Sequence, residues 1–158
     1  MLQSESLDHK PALVSFDTAD PADLEAAWGQ LAPLGIEAVT HLVEAYRSAR
    51  TWQGRSAAVL YATRFARESE EAFQLGVEAL GDRARHVRTR ACGLLAYSLR
   101  EEAEGRLLLL CSHVDVATRE DARAAVAALR EHDHHRFKDR DGTGRVFWIV
   151  NQSDLPDS

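Results

Sequence analysis

Between residues 20 and 131 apolar side chains recur three and four positions apart, so this stretch reads as amphipathic helices separated by glycine, proline and short polar turns. Asp20, followed by Pro21 and Asp23, predicts an N-cap and a first helix over 21–31, closed by Pro33 and Gly35. Ile36, Val39, Leu42, Val43 and Tyr46 form one stripe of a second helix, 36–49. Thr51 is the expected cap of a third, 52–67. Ser69, with Glu70 and Glu71 in the first turn, opens a fourth that ends at Gly81, a residue suited to a left-handed C-terminal position. A fifth spans 85–99 and a sixth 102–112, and Thr118 with Asp121 three residues on predicts the cap of a seventh that reaches 131.

Beyond residue 133 the spacing of apolar positions falls to two, and HHRFKDR, DGTG and RVFWIVN predict a β-hairpin over 134–151. Asp141-Gly142 and Gly144 would supply the positive-φ turn, and Val146, Phe147, Trp148, Ile149 and Val150 are strong strand formers. One face of that strand is expected to cap the last helix pair. The other would cover Ala12–Phe16 or pair across a homodimer. The expected organisation is thus a loose segment at 1–19, a helical domain at 20–133, a hairpin cap at 134–151 and a tail at 152–158.

The helices repeat, because sliding the chain against itself by 33 to 35 residues brings like onto like. RSAAVLYATRF from Arg55, RACGLLAYSLR from Arg90 and RAAVAALREHD from Arg123 superpose, and Leu42, Leu75 and Leu108 lie 33 apart. Asp82 and Asp115 keep the same spacing. A unit of two helices cannot bury its apolar faces alone, so three copies are expected to stack into an α-solenoid with helix 21–31 as an N-terminal cap.

The stretch Ala79–Leu99, ALGDRARHVRTRACGLLAYSL, resembles a HEAT repeat: Asp82 in the turn, then Val87-Arg88, then small residues alternating with leucines such as Leu95. Residues 35–131 are similar to the small bacterial-type members of that family. The resemblance implies that the aspartate and arginine bond between neighbouring repeats, and that the second helix of each pair lines a concave binding face. In the third unit Glu120 and Asp121 stand where Val-Arg would be expected.

Charge sharpens this picture. The chain carries a net charge of −6, with −7 over residues 1–46, +5 over 47–100 and −4 over 101–158. A basic middle between acidic ends suits an anion, an acidic partner or an internal charge match. Arg55, Arg64, Arg88 and Arg90, with Tyr61 and Tyr97, are therefore the candidate partner-binding residues. The same arginines offer a nucleic-acid reading, since HEAT-like folds include DNA-binding glycosylases, although the acidic balance opposes it. The start, MLQSESLDHK, lacks a basic n-region and an apolar core, which makes the cytoplasm the expected location.

No nucleophile and base stand at a recognisable spacing, so a scaffold or protein-interaction role without catalysis or cofactor is expected. Cys92, flanked by Ala91, Gly93, Leu94 and Leu95, reads as a core thiol. Asp139-Arg140-Asp141-Gly142-Thr143 resembles the nucleophile motif of haloacid dehalogenase-like phosphatases, which implies a magnesium-dependent attack by the first aspartate. Only fifteen residues follow Thr143, too few for the alternating α/β sheet that the motif requires. His132, Asp133, His134 and His135 offer imidazoles for a metal without a complete ligand set, so a metal-dependent hydrolase ranks third among the readings.

Overall fold

The computed structural model describes residues 14–156, so residues 1–13 of the segment expected to be loose at 1–19 lie outside the described residues. Seven α-helices follow in order among these residues: α1 Pro21–Leu31, α2 Ala38–Ser48, α3 Trp52–Ala62, α4 Glu70–Ala79, α5 Arg85–Ser98, α6 Glu104–Leu110 and α7 Val116–Glu131. Three of the expected caps form, each a side-chain oxygen accepting from a free backbone N–H of the first turn. Asp20 takes Ala22, Thr51 takes Gly54, and Ser69 takes Ala72. Among the described residues no helix is long and apolar enough to cross a membrane.

Helices α2/α3, α4/α5 and α6/α7 pack as antiparallel pairs, and the second helices α3, α5 and α7 lie side by side in chain order. Ala58, Ala91 and Ala122, one on each second helix, are wholly buried, and small side chains there let neighbouring backbones approach closely. Val39, Leu42, Val59, Leu75, Val87, Leu94, Leu95 and Leu107 fill the core along the stack. At its N-terminal end Phe16 packs edge-on against Tyr61 at 6.3 Å and is buried, so residues 14–18 belong to the folded body. Gly54 is what admits this chain: a Cβ there would lie 1.7 Å from the Phe16 carbonyl oxygen.

The structural repeat has a register of its own. The caps of the second helices are Thr51, Ala84 and Asp115, spaced 33 and then 31 residues, rather than the uniform spacing that Asp82 and Asp115 suggested. Asp115 caps α7 by accepting from Thr118 N–H, so Thr118 is the third residue of the helix and not its cap. Arg55, Arg88 and Arg119 then occupy the same place, four residues past each cap. Thr118-Arg119, not Glu120-Asp121, stands where Val87-Arg88 stands one repeat earlier. The same slip places Leu107 in the core and leaves Leu108 43% exposed.

Gly81 does not close α4 with a left-handed residue; the left-handed ends are Leu99 after α5 and His132 after α7. The larger correction concerns residues 134–151. No strand forms among the described residues, and this segment is a single turn of 3-10 helix, His134–Phe137, followed by irregular chain that lies against α5 and α7. The backbone groups a hairpin would have paired are taken by side chains: Trp148 N–H donates to His135 Nδ1 at 2.8 Å, and Trp148 C=O lies 2.9 Å from His134 Nε2. The intended turn exists locally, with Gly142 and Gly144 at φ 68° and 75°, but it is closed on Asp139 rather than on a partner strand. A homodimer through paired hairpin edges has no strand on which to form. The tail is also tied down as far as Asp154, which is buried at the end of a short 3-10 turn.

Candidate functional site

The predicted partner-binding residues divide into two sets. Arg55 is 8% exposed and wholly committed: Nε and Nη2 donate to Asp82 at 2.8 and 3.2 Å, and Nη1 donates to the Ala49 and Arg50 carbonyls. Asp82 also accepts from Tyr46 Oη at 2.8 Å and from Ala84 N–H at 2.9 Å. Burial works against its charge, yet Arg55 and these hydrogen bonds outweigh burial and hold the carboxyl below its ordinary range. Arg88 repeats the pattern one unit later, donating to Thr118 Oγ1 at 3.0 Å and to the Asp82 carbonyl at 2.9 Å, with Asp115 at 3.8 Å. Arg119 closes the series on the His113 and Val114 carbonyls. Each arginine thus turns back to the turn before its own helix, and the first two also reach the next repeat.

Tyr97 is likewise withdrawn, 1% exposed beneath the C-terminal segment. Its hydroxyl donates to Asp154 Oδ2 at 2.8 Å and accepts from Asn151 Nδ2 at 2.9 Å, and the Arg67 guanidinium lies 4.0 Å over its ring. Asp154 further accepts from the Val150 and Asn151 amides at 3.0 and 2.9 Å. His134 stands beside it with Nδ1 accepting from Arg67 Nη2 at 3.0 Å; because arginine only donates, Nε2 carries the proton that goes to the Trp148 carbonyl. Sequence reading missed Arg67, Asn151 and Asp154, since a tail contact leaves no periodic signal.

Tyr61, Arg64 and Arg90 remain as a set. Trp28 of α1 stacks on Tyr61 at 4.7 Å and 7°, and the Arg64 guanidinium lies 5.0 Å from the Trp28 ring. Arg64 Nε is buried without a hydrogen-bond partner among the described residues. Arg90 is exposed and makes no hydrogen bond or ion pair among the described residues, although burial of its surroundings lowers its pKa. Lys138, from the C-terminal segment, also lacks an ion pair, and crowding followed by repulsion from Arg90 and Arg140 weakens its hold on its proton. Both cations therefore reach solvent from a crowded recess. Beside them Leu24, Trp52, Leu60 and Tyr61 line an open hollow between α1 and α3, with Arg90 at its edge. Trp52 and Leu60 are 40% and 38% exposed, and Trp52 stacks on His86 at 4.4 Å. Trp28 and Lys138 joined this set unforeseen, one from the capping helix and the other from the misread hairpin.

The residues weighed for chemistry are dispersed. Burial pushes the Cys92 thiol far up, away from the thiolate that nucleophilic attack requires. Asp139 accepts from Thr143 N–H, Thr143 Oγ1 and Gly144 N–H, so its oxygens organise the turn. Asp141 is exposed. His134 and His135 are engaged with Trp148, and no group of three or more ligand-type side chains occurs among the described residues. No family model matches the chain, and comparison with curated proteins and with solved structures found no match.

Proposed function

We propose that this chain is a protein-interaction module of the HEAT-repeat type, which acts by rigid display rather than by catalysis. The observation that carries the reading is the contrast between Arg55 or Arg88, each bonded into the stack, and Arg64, Arg90 and Lys138, which have no carboxylate partner among the described residues. Burying the first set stiffens the scaffold. Leaving the second set unneutralised beside exposed aromatic and aliphatic side chains suits a surface that a partner covers. A preformed surface of this kind loses little conformational freedom on binding. The free cysteines Cys92 and Cys111 accord with work in the reducing cytoplasm.

The test is site-specific photo-crosslinking in cells from position 60, in the hollow, with position 44 on α2 as the control. A discrete protein adduct from position 60 alone is the expected result. Adducts that contain only nucleic acid, or none at all, would overturn the reading.

A further inference from the structure

Three features meet at one place on the molecule. The hollow between α1 and α3 is floored by Leu24 and flanked by Trp52 and Leu60, apolar side chains partly open to water. Arg90 stands at its edge, and Arg64 lies over the Trp28 ring next to Tyr61, its Nε buried and unpartnered among the described residues. Lys138 then continues the positive charge toward Arg140, whose own partner is Asp121 at 3.1 Å. Lys138 forms no ion pair among the described residues and is repelled by Arg90 and Arg140, which Asp121 offsets only in part, so a bound anion would relieve that repulsion. Glu25, close enough to Tyr61 to disfavour its ionisation, and Asp121 are the acids that face this strip.

We propose that this recess takes an acidic segment of a partner protein, seating one apolar side chain among Leu24, Trp52 and Leu60 and flanking carboxylates on Arg64, Arg90 and Lys138. This deepens the interaction reading, on which it rests, by naming the class of partner. Guanidinium groups take carboxylates in paired, directional hydrogen bonds, and an apolar hollow next to them suits a side chain. A longer polyanion fits less well. The chain as a whole carries a net charge of −6, so a long nucleic-acid backbone meets an overall repulsion that a short acidic segment largely escapes.

The experiment titrates the full chain with fluorescein-labelled probes: an Asp/Glu hexapeptide interrupted by one Phe, the same peptide with Ala for Phe, the same with Asn/Gln for the acids, and a single-stranded oligothymidine of equal charge. The acidic Phe peptide is expected to bind, with the Ala and the neutral versions each weaker by roughly tenfold. Arg90→Glu and Lys138→Glu are each expected to weaken it by roughly tenfold with an unchanged circular dichroism spectrum, and Leu60→Lys to abolish the preference for Phe. Equal binding of the acidic and neutral peptides, indifference to Arg90→Glu, or tighter binding of the oligothymidine would overturn the proposal. A protein adduct from position 60 that survives Arg90→Glu would refute the acidic-segment assignment while leaving the interaction reading standing.

Discussion

Arg55 of α3 holds Asp82 of the next repeat through two N–H···O bonds of 2.8 and 3.2 Å, with both side chains below one tenth exposed. This is a desolvated pair in which each partner has further bonds, so neither charge is left to burial alone. Its energetic asymmetry yields a prediction. Removing one member strands the other charge in a dry site, which costs about 3–5 kcal/mol, whereas well-packed apolar replacement of both members is far less damaging. Arg55→Ala is therefore expected to lower the denaturation midpoint strongly. Arg55→Leu combined with Asp82→Leu should recover part of the loss, and urea titration of the two variants checks it. Equal losses would show that the packing of Arg55, not the charge of Asp82, matters at this junction.

Gly54 supports a prediction of a different kind. Thr51 caps α3 through Gly54 N–H at 3.2 Å, and the Phe16 carbonyl passes where a Cβ would stand, 1.7 Å away. Backbone cannot yield as a flexible side chain can, so residues 14–18 would have to lift off. Gly54→Ala, which ordinarily favours a helix by up to about 1 kcal/mol, should instead destabilise by more than about 2 kcal/mol. Increased quenching of Trp28 and Tyr61, which lie with Phe16, would accompany the loss. A more stable variant would contradict the placement of Phe16.

How much of this was legible follows from where the information lay. The caps Asp20, Thr51 and Ser69 were readable because capping is a local hydrogen bond between residues two or three apart. The arginine series was half readable. Aligning Arg90 and Arg123 with Arg55 matched residue types, but the positions that match by distance from the helix cap are Arg88 and Arg119, and only the caps disclose the 31-residue spacing. Val146–Val150 misled because strand propensity reports compatibility with a pleated surface, not the presence of a partner. Two imidazoles and the Asp154 carboxylate took the backbone groups that a second strand needed. Tyr97 looked like a displayed aromatic for the same reason: what covers it lies 57 residues further along the chain.

His132 offers a gain of stability. It ends α7 in the left-handed region at φ 53°, where its N–H donates to Ala128 and Leu129, and its side chain is exposed. A non-glycine residue there carries a cost of about 1 kcal/mol that glycine avoids. His132→Gly is expected to raise the melting temperature by a few degrees, as differential scanning calorimetry would read it. No change would mean that glycine's greater freedom in the unfolded chain cancels the gain.

The C-terminal segment should come away from the helices in two acid steps. His134 is neutral in the fold, and its pKa is lowered, first by burial and further by the neighbouring His135 and Arg67, against the opposing Trp148 carbonyl and Asp154. Protonating it would place an N–H on Nδ1, which now accepts from Arg67. As pH falls below the ordinary 6.5, the released segment takes up a proton that the docked one refuses, so docking weakens from there down to the lowered pKa. Asp154 acts lower. Burial opposes its charge, but the Asn151 and Val150 amides, Tyr97 and His134 hold its pKa below 3.8, so its contribution is intact above that value and lost as pH drops through the lowered one. Hydrogen exchange of residues 146–155 across pH 3–8 reads both steps, corrected for the intrinsic pH dependence of exchange. His134→Gln should flatten the upper step and leave the lower, and Asp154→Asn should flatten the lower while weakening docking at neutral pH. A single step, or an upper step that persists in His134→Gln, would move the sensor to another group.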